Sequence, residues 1–181
     1  MIKFKLTIPN ILTMIRIILI LPATIFAANE NYIWAMIIFT TACITDVLDG
    51  YIARKFNMIS EAGMMIDPLA DKLMALFMVY IICLKGILPF FVFILVAIKE
   101  LSMILGGIIF VRKGIAAPAN IVGKIAAFMF NCAIILSFLY EYTAPFNEIL
   151  MYISLVMLAI AFLQYAYLNV YRRIKDKGEL P

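Results

Sequence analysis

The stretch YIWAMIIFTTACITDVLDGYIAR, residues 32–54, decides the fold because it combines a long apolar run with two aspartates. A helix needs about 20 apolar residues to cross the hydrocarbon core of a membrane, and this stretch is long enough. An ionised carboxylate at the centre of a membrane helix costs at least about 2.5–3.5 kcal/mol. Asp46 and Asp49 therefore predict a membrane helix that carries a functional site.

The composition of the whole chain agrees with this stretch. Of the 181 residues, 66% are hydrophobic, and the mean hydropathy is +1.08. A water-soluble domain of this size has no interior large enough for that apolar surface, so lipid is the expected solvent. Apolar runs predict an all-α integral membrane bundle of six transmembrane helices, at residues 11–28, 33–54, 64–84, 87–111, 121–141 and 148–171. The short connections predict antiparallel neighbours in one domain, residues 1–181.

The distribution of charge predicts an orientation in the membrane. Basic residues favour the cytoplasmic side of membrane proteins. Lys85, Glu30, Glu141 and Glu148 fall on one side of the predicted bundle. The other side receives Lys3, Lys5, Arg54, Lys55, Arg112, Lys113, Lys124, Arg172, Arg173, Lys175 and Lys177. We therefore expect a multi-pass protein of the cell membrane with both termini in the cytoplasm. Membrane lipid is an expected partner, and nucleic acid is not.

Two amino acids limit the chemistry. The chain has no histidine, which excludes histidine-ligated zinc sites, Ser-His-Asp hydrolysis and covalent phosphohistidine intermediates. Cys43, Cys83 and Cys132 stand alone in apolar runs without a CxxC pair, which is typical of small buried apolar residues.

Aspartates recur at helical spacing on two consecutive predicted helices. At 3.6 residues per turn, the second helix presents on one face Asp46, Asp49, Gly50 and Ala53. The third helix continues the pattern at four-residue steps with Gly63, Asp67 and Asp71. Two antiparallel helices can therefore direct four carboxylates into one cavity, and on the second helix the two aspartates are followed by a strip with almost no side chain.

Four converging carboxylates require a positive partner because they otherwise repel one another. Ligands that offer only oxygen suit hard cations, here two Mg²⁺ or Mn²⁺ ions, and Ca²⁺ also fits. A pair of such ions is a known clamp for phosphoryl displacement. The small residues leave room for a bulky ligand, and Arg54 can neutralise a phosphate that the metals do not reach.

Other interpretations explain fewer of these residues. Asp67 before Pro68 is a possible helix cap, and glycines in membrane helices are often packing notches. A cation channel or transporter would explain four carboxylates within the membrane, but it leaves the glycines and Arg54 without a role. It also predicts acidic groups near mid-membrane, whereas Asp49 lies five residues, about 7.5 Å of helix rise, from Arg54.

The pattern Asp46-x2-Asp49-Gly50-x2-Ala53-Arg54-x8-Gly63-x3-Asp67-x3-Asp71 resembles the complete signature of the CDP-alcohol phosphatidyltransferase family. The resemblance extends over the whole length, with the motif on the second and third of six spans. Two further segments resemble phosphatidylglycerophosphate synthases, namely Ile8-Pro9-Asn10-x2-Thr13-x2-Arg16 and Asp67-Pro68-Leu69-Ala70-Asp71-Lys72.

The resemblance implies a reaction and a set of site residues. It implies transfer of a phosphatidyl group from CDP-diacylglycerol to a small alcohol, with release of CMP. The implied ligands of two divalent cations are Asp46, Asp49, Asp67 and Asp71, with Asp71 also the general base. The implied nucleotide and diphosphate site comprises Asn10, Gly50, Ala53, Arg54 and Gly63. The resemblance also implies a homodimer whose active sites open to the cytoplasm.

The acceptor alcohol depends on a basic pocket. Glycerol 3-phosphate would need one near the metals, and its candidate residues are Lys99, Arg112, Lys113 and Lys124. Lys99-Glu100 resembles an Arg-Glu pair of phosphatidylglycerophosphate synthases, and Gly123-Lys124 resembles their Gly-Lys element without the basic residue that usually follows. These departures keep a second interpretation open, a CMP-forming cardiolipin synthase with phosphatidylglycerol as acceptor.

The candidate lysines and arginines also have structural explanations. Arg112 and Lys113 can be an ordinary positive loop at the cytoplasmic side. Lys99, which lies within an apolar run, can pair with a carboxylate of a neighbouring helix.

Overall fold

The computed structural model describes residues 8–56, 61–112 and 121–176. Within these ranges the chain forms helices and no strand, as the composition predicts. In chain order the helices are α1 (Ile8–Ala28), α2 (Tyr32–Lys55), α3 (Glu61–Leu84), α4 (Phe90–Arg112), α5 (Ile121–Ser137), α6 (Tyr140–Thr143) and α7 (Phe146–Asp176). The six predicted spans correspond in order to α1–α5 and α7.

Three of the described helices are long and apolar enough to cross a membrane. Their candidate spans are Asn10–Ala28, Tyr32–Ala53 and Phe146–Gln164. Helix α5 is apolar but shorter, at 17 residues. The described part of the chain therefore gives three candidate membrane-spanning helices, and the number six remains a prediction.

The fifth predicted span ends earlier than expected. The prediction runs to residue 141, whereas α5 stops at Ser137 and a separate four-residue helix, α6, follows. The backbone tightens at this point, because the Leu139 amide donates to the Leu136 carbonyl three residues back. The Thr143 hydroxyl also donates to the Leu136 carbonyl, at 2.8 Å. Side-chain bonds of this kind compete with a continuing helix.

Contacts along the first four helices give the directions in which they run. Helix α1 packs against both α2 and α3. Near one end of α1, Arg16 contacts Asp46 of α2, and near the other end the rings of Phe26 and Trp34 lie 6.3 Å apart, so α1 and α2 are antiparallel. Thr13 contacts Asp67 in the first half of α3, and Glu30 just after α1 contacts Lys85 just after α3. Helix α3 is therefore parallel to α1. Helix α4 then returns antiparallel to α3.

Small side chains let α1 and α2 approach closely. Ala23 and Ala27 of α1 and Ala35 of α2 are fully buried, and Ala42 of α2 is 1% exposed. Small residues at such spacing are typical of contacts between membrane helices. Larger side chains fill the remaining core, among them Met78, Ile82, Val92, Val96, Ile134 and Met151.

The outer surface of the bundle is apolar. Ile18 and Phe128 are each 70% exposed, and many other large aliphatic and aromatic side chains point outward. A water-soluble protein rarely exposes contiguous apolar surface of this extent. The helices of this protein therefore have lipid as their natural surroundings, and the acidic residues inside them need partners within the bundle.

Candidate active site

One face of α1 carries buried polar residues at every third position. Asn10, Thr13 and Arg16 are 6%, 1% and 1% exposed. On a helix, residues at steps of three or four lie on the same side, so these side chains all face α2 and α3. The resemblance implied a nucleotide-binding role for Asn10, and the structure places it in this buried row.

Arg16 bridges the two aspartates of α2. Its Nη2 donates a hydrogen bond to Oδ2 of Asp49 at 2.5 Å, and its Nη1 lies 2.7 Å from Oδ1 of Asp46. Asp49 is 3% exposed, whereas Asp46 is half-buried. A buried ionic group requires a paired partner, and the guanidinium of α1 supplies one charge to two carboxylates.

The third aspartate of the motif contacts the same helix. Asp67 of α3 accepts a hydrogen bond from the Thr13 hydroxyl. The sequence pattern predicted that the carboxylates of α2 and α3 would point into one cavity. In the structure α1 contacts both sets, through Arg16 on one side and Thr13 on the other.

All four motif aspartates nevertheless lie in one electrostatic neighbourhood. The carboxylate of Asp49 interacts electrostatically with Asp46 and Asp67, and the carboxylate of Asp71 interacts electrostatically with Asp46 and Arg16. The side chains thus collect at one end of the bundle, which we call the acidic end. It comprises the first half of α1, the last half of α2 and the first half of α3.

The acidic end fits divalent cations by donor chemistry. It offers four carboxylates against the one guanidinium of Arg16, and hard cations bind such oxygen ligands. Among the described residues, however, no three Asp, Glu, His or Cys side chains are close enough together to form a ready metal cage. Arg16 contacts two of the four carboxylates, so its guanidinium and a bound cation would share the same acidic residues.

The small residues of the motif lie beside the aspartates. Gly50 and Ala53 are half-buried on α2, one turn from Asp46 and Asp49. The remaining motif and loop candidates are less well defined. Lys113 lies outside the described residues. Arg54, Gly63 and Arg112 belong to described helices, but the structure describes only their backbone.

A cavity of about 410 Å³ adjoins the acidic end. Asp71 forms part of its wall, so a ligand in the cavity would touch one of the motif carboxylates. The other polar wall residues are Lys72, Lys99, Glu100, Lys124 and Asn131. Apolar side chains line the rest, most of them from α5 and α7, among them Phe130, Leu158 and Phe162. The volume is typical of a site for a small ligand.

The lysines of the cavity differ in their partners. Glu100 lies 2.5 Å from Nζ of Lys99 and 3.2 Å from Nζ of Lys72. The alternative explanation of Lys99 was a pair with a carboxylate of a neighbouring helix, and the structure instead pairs it with the next residue of α4. Lys124 of α5 has no ion-pair partner within the part of the chain that the structure describes. Three lysines against the single carboxylate of Glu100 thus form what we call the positive wall of the cavity, namely Lys72, Lys99, Lys124 and Glu100.

The sequence predicted site roles in this region for the motif aspartates, Lys99 and Lys124, but it assigned no role to three other residues. Lys72, Glu100 and Asn131 also line the cavity. Lys72 and Glu100 had a visible signal, since each is a charge within an apolar run. Asn131 carried no such signal, because a single amide in an apolar helix is common.

Comparisons with known proteins agree with the motif. A family model described as CDP-alcohol phosphatidyltransferase matches residues 6–160. A CDP-diacylglycerol–glycerol-3-phosphate 3-phosphatidyltransferase of Aquifex aeolicus is 27% identical over 167 residues, which cover 88% of this chain and 94% of the relative.

Two other relatives carry different names. A probable phosphatidylglycerophosphate synthase of Mycobacterium tuberculosis is 34% identical over 69% of this chain and 62% of its own length. A CMP-forming cardiolipin synthase of Streptomyces coelicolor is 32% identical over 68% of this chain and 60% of its own length. The chain therefore spans nearly all of the first relative and about three fifths of the other two.

Proposed function

This chain belongs to the CDP-alcohol phosphatidyltransferase family, and on that premise we propose that it transfers a phosphatidyl group from CDP-diacylglycerol to glycerol 3-phosphate. The products are CMP and phosphatidylglycerol phosphate, which makes the protein an enzyme of phospholipid biosynthesis. The name of the Aquifex aeolicus relative supports this choice of donor and acceptor.

The observation that carries the choice of acceptor is the positive wall beside Asp71. Lys72, Lys99 and Lys124 line the same cavity as this carboxylate. An acceptor with its own phosphate needs cationic hydrogen-bond donors near the reacting hydroxyl, and lysine ammonium groups provide them. An uncharged alcohol would offer these ammonium groups no anionic partner, whereas glycerol 3-phosphate offers its phosphate.

Residues of this chain would accept the proton of the acceptor hydroxyl and orient the substrates. The acceptor hydroxyl attacks the phosphorus that bears diacylglycerol, the phosphorus–oxygen bond to CMP breaks, and CMP leaves with the bridging oxygen. Asp71 accepts the hydroxyl proton, a step typical of a carboxylate within hydrogen-bonding reach. Gly50 and Ala53 let the nucleotide approach α2, and Arg54 and Asn10 contact the nucleotide and its diphosphate.

We propose two divalent cations, Mg²⁺ or Mn²⁺, at Asp46, Asp49, Asp67 and Asp71. When bound, they would supply positive charge to offset the charge that develops on phosphate oxygens. A titration with EDTA tests this part, and we expect transfer to stop and to return on addition of Mg²⁺ or Mn²⁺. Full turnover in excess EDTA would contradict it.

The membrane arrangement belongs to the same proposal. Residues 1–181 form one domain with six membrane spans, both termini lie in the cytoplasm, and the active site faces the cytoplasm. The distribution of basic residues supports this orientation. The proposed homodimer rests on the family resemblance, and the mass of the protein in lipid nanodiscs tests it.

A second candidate function is CMP-forming cardiolipin synthesis, with phosphatidylglycerol as acceptor. The relative from Streptomyces coelicolor favours it, and the apolar side of the cavity would suit a lipid. Under this function the positive wall would contact the phosphate of a second lipid molecule.

One assay separates the two candidates. Purified protein with CDP-diacylglycerol and Mg²⁺ is offered glycerol 3-phosphate, phosphatidylglycerol, serine or myo-inositol phosphate, and CMP release is measured. We expect release with glycerol 3-phosphate. Release with phosphatidylglycerol alone would refute the proposed acceptor and support cardiolipin synthesis.

A further inference from the structure

Glu100 joins two lysines of the cavity into one cluster. Its Oε1 lies 2.5 Å from Nζ of Lys99, and its Oε2 lies 3.2 Å from Nζ of Lys72. Lys99 belongs to α4 and Lys72 to α3, so the carboxylate connects two helices. All three residues line the cavity that also contains Asp71.

The burial of the cluster distinguishes it from an ordinary surface ion pair. Glu100 is 9% exposed, and the lysine side chains are 21% and 20% exposed. Each ammonium group has three donors. Lys99 uses one of them in its hydrogen bond to Glu100, whereas the contact of Lys72 with Glu100 is an ion pair without a hydrogen bond. The remaining donors of both lysines are available to a ligand in the cavity.

We propose that Glu100 is a positioning residue that holds Lys72 and Lys99 as a two-ammonium clamp for the phosphate of the acceptor. This inference rests on the proposed function, because it assumes an acceptor that carries its own phosphate. It adds Lys72 and Glu100 to the acceptor site, beside Lys99 and Lys124. Glu100 acts through the lysines and does not touch the acceptor.

Two opposing effects of the carboxylate decide the expected result. A negative charge near the clamp weakens its attraction for phosphate, but two neighbouring ammonium groups repel each other without it. A free lysine also loses side-chain entropy when it is held in one place. Each lysine can turn toward water if its partner is removed, so we expect the loss of order to outweigh the gain in positive charge.

Glu100→Gln tests the inference. The amide retains one oxygen acceptor but presents an NH₂ group to the second lysine, so one ammonium loses its partner. We expect the KM for glycerol 3-phosphate to rise about tenfold, the size of one lost charge-assisted hydrogen bond. The kcat and the KM for CDP-diacylglycerol should stay within about twofold. Glu30→Gln is the matched control, because Glu30 also pairs with a lysine but lies far from the cavity.

A double-substitution cycle separates positioning from a general loss of structure. If Glu100 acts through Lys72, then Lys72→Gln also raises the KM for glycerol 3-phosphate. The double variant then has a KM no higher than that of the more strongly affected single variant. A merely structural Glu100 would instead change kcat and both KM values together. Lys72→Gln by itself keeps the inference testable if Glu100→Gln does not fold.

The results of these experiments distinguish failure of the Glu100 inference from failure of the proposed function. An unchanged or lower KM for glycerol 3-phosphate in Glu100→Gln, or additive effects in the cycle, would overturn the inference and leave the proposed function intact. An unchanged KM in Lys72→Gln would overturn it too. Failure of the unaltered protein to use glycerol 3-phosphate would overturn the proposed function and this inference with it.

Discussion

The two ends of the bundle place charged residues in different surroundings. At the acidic end, Arg16 contacts Asp46 and Asp49, with Arg16 and Asp49 almost fully buried. At the opposite end, Lys85 of the α3–α4 turn lies 2.8 Å from Glu30 of the α1–α2 turn, and the Glu30 side chain is 66% exposed. Both ends use the same kind of attraction, but only one end removes it from solvent.

The comparison supports our proposal that the acidic end is the active site. Exposed ion pairs contribute little because water and salt screen them, so the pair at the opposite end mainly connects two turns. Burial of several carboxylates is costly, and a fold keeps such a group where it performs chemistry. Substitutions at the two ends should therefore have very different effects on transfer and on stability.

The largest expected effect comes from Asp71→Asn. An amide cannot accept the hydroxyl proton, so we expect CMP release to fall by about 10²–10⁴-fold. The asparagine is similar in size, so the protein should remain folded and inserted in the membrane. Single-turnover CMP release and the thermal unfolding midpoint are the measurements, and normal release would refute the role of Asp71 as the base.

The next largest effect concerns Arg16. Arg16→Met leaves Asp49 buried without a charged partner, and breaking a buried pair in this way costs about 3–5 kcal/mol of folding free energy. We expect a lower Tm in detergent, and a larger rise in Tm with Mg²⁺ than in the unaltered protein. Arg16→Lys is the control, because it retains the charge. An unchanged Tm for Arg16→Met would mean that the contact contributes nothing to stability.

A moderate effect is expected at the positive wall of the cavity. Lys124→Gln removes an ammonium group that has no ion-pair partner among the described residues, so its charge is available to the acceptor. We expect the KM for glycerol 3-phosphate to rise about fivefold to tenfold, with little change in the KM for CDP-diacylglycerol. Equal changes in both constants would argue against an acceptor role for Lys124.

The smallest effect is expected at the opposite end. Lys85→Gln should leave transfer unchanged, because Lys85 lies on a turn remote from the cavity. The hydrogen bond and charge of Lys85 lower the pKa of Glu30. The pair therefore contributes stability above the unfolded pKa of Glu30, and that contribution is lost as the pH falls through the lower folded pKa. Lys85→Gln should flatten this acid-side change in Tm, and high salt should do the same.

Much of the architecture follows from the sequence because apolar length is a strong signal. The long helices lie where the apolar runs predict them, and charges within those runs identify the acidic end. The end of α5 was not predictable, because it depends on hydrogen bonds from Thr143 to the carbonyls of Leu136 and Leu139. Residues 137–141 are mostly apolar, so composition alone continues the helix.

The partners of the charged residues in the candidate site were only partly predictable from the sequence. Arg16 was recognisable as a charge inside an apolar run, but its contacts depend on how α1 packs between the other helices. Thr13 has a short polar side chain that many membrane helices carry, and only its contact with Asp67 identifies it as part of the site. The cluster of Lys72, Lys99 and Glu100 likewise requires α3 and α4 to be adjacent.

By itself the sequence determined an all-α membrane protein with a family motif, because hydropathy, helical spacing and residue type are properties of single segments. Tertiary structure alone decided that α1 supplies the partners of Asp46, Asp49 and Asp67, and that Glu100 contacts two lysines from different helices. Such contacts depend on the rotation and depth of each helix relative to its neighbours. Packing of small and large side chains across the whole bundle sets that rotation and depth, and no segment encodes it alone.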